Sequence, residues 1–358
     1  RKSMKKSLLF LASANVMLSL MISCSQDDSD MPNDNINSSR TIGFKTFLDK
    51  NVTRGISAAA GALKQDFWTY AYYDSVGDRS TEILKPNFMY AQHVVYNDST
   101  FTYSPTKYWP NTGDVNFYAW TPNTAANLTF SNPTSATSVG FPIFNYTVNS
   151  TIANQEDLLI AVAEDQDGTS GTVNLPFDHA LTKVGFCART LGDYSASGVT
   201  VRIMSITLNS IAYKGTFSYE KYAEENANTT WWTVDSSSKV NYAPDIRAGS
   251  TGRRVGYYGV NTYLELPDDN QFLLVMPQSF TGTDATITIV YKVLYSDGTP
   301  TQTFTKTVEM AETVNWAPGT YVNYAITISL NVVTFTGVVS DWNIINPAIN
   351  IIPTDDDE

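Results

Sequence analysis

The stretch "YVNYAITISL", residues 321–330, alternates with a period of two. Val322, Tyr324, Ile326, Ile328 and Leu330 fall on one side of an extended chain, and Asn323, Thr327 and Ser329 on the other. Such a strand has one face for a core and one for water. That is the pattern of an antiparallel sheet in a sandwich; strands of parallel sheets are buried on both faces and read as continuous apolar runs. The same period runs through the segments before it: "VNLPFDHALTKVGFCA" (173–188), "VRIMSITLNSIAYKGTFSY" (201–219), "QFLLVMP" (271–277), "ATITIVYKVLY" (285–295) and "TQTFTKTVEM" (301–310). Between the last two, Asp297 and Gly298 in "SDGTP" suit a tight hairpin turn.

Further toward the N-terminus, "FWTYAYY" (67–73), "FMYAQHVVY" (88–96), "VNFYAW" (115–120) and "DLLIAVA" (157–163) form an earlier set. They are separated by turn-forming clusters such as "DSVGD", "WPNTGD" and "AEDQDGTSG". No stretch sustains a helical period. An all-β chain of two consecutive sandwiches is expected, 55–172 and 173–342, the boundary falling after the glycine-rich cluster that ends at Gly171.

Composition agrees and excludes some functions. The 358 residues suffice for two domains, and 21 Tyr and 17 Phe enrich the vocabulary that packs on pleated surfaces. A net charge of −12 offers no basic field to a nucleic acid, so none is expected as partner.

Before the first strand pattern lies a targeting signal rather than fold. Lys5 and Lys6 precede the apolar run "LLFLASANVMLSLMI", too short to span a bilayer as a helix. It ends in "LMISC", which resembles a lipobox with Cys24 as the lipidated residue. Residues 1–23 are then a signal peptide, and 24–40 a polar, acidic tether whose "SQDDSD" resembles a surface-sorting signal of Bacteroidales lipoproteins. The outer membrane, reached through lipid on Cys24, is one expected partner. "TIGFKTFL" (41–48) follows as a strand with Ile42, Phe44 and Leu48 on one side, then a loop carrying Arg54 and Gly55.

Residues that could carry chemistry are sparse. Apart from Cys24 there is one cysteine, Cys187, so no intrachain disulfide is available, and the two histidines are His93 and His179. Cys187 reads as a small buried residue, and His179 as structural. No nucleophile elbow, zinc-binding helix motif, P-loop or dinucleotide fingerprint occurs, so neither enzyme activity, cofactor nor metal is expected. "EDQDGTSG" has Asp165 and Asp167 at calcium-loop spacing but lacks the terminal glutamate, which leaves an acidic turn.

Six motifs in order carry a family resemblance: "SPTKYWPNTGDVNFYAWTP", "QEDLLIAVA", "VNLPFDHALTKVGF", "ITLNSIAYKGTFSY", "WAPGTYVNYAITISL" and "TGVVSDW". In spacing and sequence, over roughly residues 41 to 342, the chain resembles the fimbrillin-like lipoproteins of Bacteroidales, subunits of type V pili. The resemblance implies two transthyretin-like β-sandwich domains, export as a lipoprotein, and maturation by an arginine-specific protease. It places cleavage between Arg54 and Gly55, with Arg40 as the alternative, and makes residues 41–54 the removable first strand and its loop. Ile42, Phe44 and Leu48 would then leave a groove that other fimbrial subunits fill.

The donor is expected in residues 343–358, "NIINPAINIIPTDDDE", where Ile345, Pro347, Ile349 and Ile351 line one side. This tail has no evident place in its own sandwich, although an ordinary edge strand is the alternative. A surface fimbria is thus the expected location. The other function class is a monomeric adhesin, anchor or tip, binding glycan or host protein through aromatic residues such as Trp231 and Trp232.

Overall fold

The computed structural model describes residues 41–48, 62–75, 84–124, 126–223, 231–246, 249–266, 273–281, 285–310, 315–330, 332–342 and 350–352. Residues Ile36–Glu358 make up one compact unit. Cys24, Arg40, Arg54, Gly55, Ile345 and Ile349 lie outside the described residues.

The N-terminal half is built on a seven-stranded sheet of β1 (Gly43–Leu48), β2 (Phe67–Asp74), β3 (Met89–Asn97), β4 (Thr100–Thr102), β5 (Asp114–Thr121), β8 (Leu159–Gln166) and β9 (Thr172–His179). Their order is β1-β9-β8-β5-β2-β3-β4. Because side chains alternate across each strand, the sheet carries two cores. Phe44, Phe67, Met89, Trp109, Phe117, Leu175 and Phe177 share one. Tyr70, Tyr72, Tyr118 and Trp120 belong to the other. The latter meet a four-stranded sheet ordered β13-β12-β7-β6, formed by β6 (Leu128–Asn132), β7 (Ile143–Thr147), β12 (Lys214–Ser218) and β13 (Trp232–Val234).

The expected division after residue 172 does not follow these sheets. β9 begins at Thr172 and pairs antiparallel with β8 and parallel with β1. The end of the glycine-rich cluster, residues 167–171, is therefore a connection between β8 and β9 within one sheet, with Gly168 and Gly171 at positive φ, and not a linker between domains. Farther along, β12 pairs with β7 from Lys214↔Thr147 to Ser218↔Ile143, so the two halves of the chain contribute to one sheet.

The C-terminal half adds two sheets. One is ordered β21-β20-β10-β16-β22, with β17 also on β10; its strands are β10 (Thr182–Thr190), β16 (Thr262–Leu266), β17 (Leu273–Val275), β20 (Thr320–Ser329), β21 (Val332–Asp341) and β22 (Asn350–Ile352). The other comprises β11 (Val199–Ala212), β14 (Lys239–Tyr242), β15 (Arg253–Val255), β18 (Thr286–Tyr295) and β19 (Gln302–Glu309). Val184, Phe186, Val322, Tyr324 and Ile326 from the first share a core with Ile203, Ile206, Ile287 and Ile289 from the second. A single α-helical turn, α1 (Tyr219–Ala223), follows β12.

β20 is less simple than the alternation of its residues. β20 runs antiparallel to β21 but parallel to β10. Its second face is covered as well: Asn323 is 1% exposed and Ala325 2%. Long side chains lie flat on that face and take the place of water. Lys183 Nζ stands 4.9 Å from the Tyr321 ring centre, and Arg189 lies 5.0 Å from that of Tyr263. Gly185 permits this, since a Cβ there would come within 2.4 Å of the Tyr321 hydroxyl. The β18–β19 hairpin forms, but its connection spans residues 296–301 instead of a two-residue turn, with Asp297 Oδ1 accepting from the Thr299 N–H at 2.9 Å.

Two bulges are finished by asparagines. Asp165 and Ser210 both take positive φ at register shifts, where an extra residue leaves its N–H off the ladder. Each N–H donates to an asparagine Oδ1, Asn116 and Asn241 respectively, at 2.8 Å.

Candidate functional site

β1 occupies the edge of the seven-stranded sheet. It pairs in parallel with β9 from Gly43↔Thr172 to Leu48↔Phe177. On its opposite edge the described residues give a single bridge, Thr41↔Tyr108, and the Ile42 N–H donates to the Lys107 carbonyl at 3.0 Å. Main-chain partners thus hold it by one ladder and one rung.

Its side chains hold the rest. Ile42, Phe44 and Thr46 are buried, Lys45 is exposed, and Leu48 is half-buried against the same core. The Phe44 ring meets three others edge-on: Phe67 at 5.4 Å, Tyr103 at 5.5 Å and Phe117 at 5.7 Å. Burying Ile42 and Phe44 contributes about 1.5–3 kcal/mol each. Thr46 Oγ1 donates to the Leu63 carbonyl at 2.7 Å. The Tyr103 hydroxyl donates to the Ile42 carbonyl at 2.9 Å, and burial raises its pKa.

Thr46, Leu63 and Tyr103 were missed by reasoning from apolar residues alone. Thr46 could have been found by position, since it continues the in-facing row of Ile42, Phe44 and Leu48. Its polar atom is satisfied by a partner that only the fold reveals.

The tail is placed elsewhere. Residues 350–352 form β22, paired in parallel with β16 and with Ile351 opposite Tyr263, at the edge of the six-stranded sheet. The expectation that the tail has no place in its own sandwich is corrected here: β16 offers a free edge and three residues take it. The fold therefore does not bring β1 and β22 together; they lie on different sheets.

Other candidates resolve into packing. Trp232 is 4% exposed, its indole N–H donating to the Ala180 carbonyl at 2.7 Å and its ring set against Phe144 and Phe217, which corrects its reading as an exposed ligand-binding aromatic. Trp231 is half-buried and edge-on to Tyr222 at 4.7 Å. His179 is buried between Asp157, 2.9 Å from Nδ1, and the Trp342 ring, stacked at 4.1 Å. His93 stacks on Trp68 and pairs with Asp66 at 3.0 Å. Asp167 Oδ1 accepts from the Thr169 N–H. Among the described residues no group of three or more His, Cys, Asp or Glu converges as a metal site would require, and no helix is long and apolar enough to cross a membrane.

Cys187 is fully buried beside Tyr263 and Ala325, and burial drives its thiol pKa well upward. A thiol reagent should leave Cys187 unmodified in the native protein and label it fully in denaturant. Rapid native labelling would show that the outer face of β10 opens.

A family model described as fimbrillin-like matches residues 62–342. The chain belongs to the fimbrillin-like family. This fimbrillin-like chain is 29% identical over 190 residues to the fimbrium subunit Fim1C of Phocaeicola vulgatus, across 47% of its own length and 48% of the relative's. It thus spans about half the length of the curated relative it matches. Among solved structures, a fimbrial protein from Bacteroides vulgatus ATCC 8482 is similar with a TM-score of 0.63 at 20% identity, over 85% of this chain and 100% of that one. Identity this low speaks to the fold alone: a fimbrillin-like chain that is nearly all β, in several sheets.

Proposed function

We propose that the chain is a structural subunit of a bacterial surface fimbria, exported as an outer-membrane lipoprotein through Cys24 and matured by an arginine-specific protease that cuts after Arg54. Loss of residues 41–54 then opens a groove for donor-strand exchange with other fimbrial subunits. The observation that carries this reading is the manner in which β1 is held: by side chains in an aromatic seat and by a backbone ladder on one edge. Removing it would expose the free edge of β9 beside an apolar trench, a template for an incoming strand. Refilling with three apolar side chains, as at Ile42, Phe44 and Leu48, is worth about 5–9 kcal/mol before the entropy of association. Membership of the fimbrillin-like family and the likeness to a fimbrium subunit support the same role.

The test is the maturation step. Arg54→Ala should give a folded, lipidated chain that remains monomeric on the cell surface, while the unaltered chain in assembled fimbriae should begin at Gly55 by N-terminal sequencing. Assembled material that still begins at Cys24 would overturn exchange.

A second reading rests on β22. A tail paired with its own β16 suits a subunit that does not donate, such as an anchor, a tip or a monomeric adhesin binding glycan or host protein. Deleting residues 343–358 separates the two: polymers of this chain are lost if the tail is the donor, and the surface form of the chain is unchanged if the tail is an ordinary edge strand.

A further inference from the structure

The seat of β1 is selective as well as apolar. Its in-facing positions run aliphatic, aromatic, hydroxyl, aliphatic at Ile42, Phe44, Thr46 and Leu48. Two of them have shape or polarity that a generic apolar strand does not match. The Phe44 position is walled by the rings of Phe67, Tyr103 and Phe117, each edge-on or steeply tilted to its occupant. Two residues on, the buried Leu63 carbonyl takes its hydrogen bond from Thr46.

The chain's own residues 343–358 contain no Phe, Tyr or Trp, so no register and neither direction brings a ring to the Phe44 position. In the row Ile345, Pro347, Ile349 and Ile351 there is no side-chain donor either. Elsewhere in the tail Asn343, Asn346, Asn350 and Thr354 carry donors, but in neither direction is the residue two positions away aromatic, so none offers the Phe44–Thr46 pair. An aliphatic side chain among three ring walls forfeits edge-to-face contacts, and an apolar one opposite Leu63 leaves a carbonyl without its donor.

We infer that the strand received in place of β1 comes from a different chain, and presents an aromatic residue followed two positions later by a side chain that donates a hydrogen bond. This rests on the exchange reading above and specifies its partner: the joint made by this groove is between unlike subunits. The groove then acts as a filter on the order of assembly.

Peptide binding to the full chain, cleaved after Arg54 and released from residues 41–54, tests this. Three fluorescent peptides are compared: residues 41–48; residues 343–352; and residues 343–352 carrying Ile345→Phe and Pro347→Thr, which place a ring and a hydroxyl at the spacing of Phe44 and Thr46. The first should bind, the second about tenfold or more weaker, and the third should recover most of the difference, since a lost ring contact and a lost donor act on the same joint. If the second binds as tightly as the first, or the third no better than the second, the inference is overturned and a second copy of this chain is an adequate donor. Failure of the 41–48 peptide to bind overturns the exchange reading itself, and the inference with it.

Discussion

Phe44→Ala should lower the free energy of opening β1 by about 3–5 kcal/mol in the uncleaved chain, the usual cost of emptying a buried phenylalanine site. Amide exchange along Gly43–Leu48 should accelerate about a hundredfold or more, because every 1.4 kcal/mol is tenfold. The effect is local. Phe44 is the one residue of β1 that touches three aromatic rings, and the strand has a single ladder to fall back on. Once residues 41–54 have been removed, the same substitution has no site to act on, so cleaved wild-type and variant proteins should denature at the same urea concentration. A difference between the cleaved forms would show that β1 stays bound after cutting.

Tyr219→Ala should cost the whole unit about 3–5 kcal/mol and should lower one transition instead of splitting it. Tyr219 opens α1, directly after β12, and its ring packs edge-on against Tyr118, Phe144 and Phe217. Its hydroxyl donates to the Ala119 carbonyl on β5 at 2.6 Å, joining the C-terminal half to the N-terminal sheet. Tyr219→Phe keeps the ring and should lose about 0.5–1.5 kcal/mol. Calorimetry resolving two transitions in the alanine variant would mean that the halves fold independently.

The strands were legible because alternation reports which face a residue shows. "FWTYAYY" and "VNFYAW" lie wholly in strands and "YVNYAITISL" does up to Ser329, and Ile42 and Phe44 share a buried face. Neighbours were not legible, since the period of two is the same whichever strand lies alongside. The parallel pairing of β1 with β9 and the joining of β7 to β12 are long-range choices made by the aromatic cores. Turn composition misled at 163–171, where glycines that bend a chain within one sheet look like those that separate domains. Polarity misled at Thr46 and bulk at Trp232: one is buried because a carbonyl waits for it, and the other because its single N–H also has a buried partner. The tail's apolar row was readable, but a row cannot say which edge it will find.

The ladder between β7 and β12 also bears on mechanics. Lys214 to Ser218 and Thr147 to Ile143 come from opposite halves of the chain, and they are fastened to each other rather than strung on a tether. Bending one half against the other would have to shear those rungs and unstack the Phe144 and Phe217 rings, 4.8 Å apart. If such units are joined by the proposed strand exchange, the filament would behave as a row of stiff beads: its compliance would reside in the joints between subunits, and under tension the seated strand would give way before the bead did.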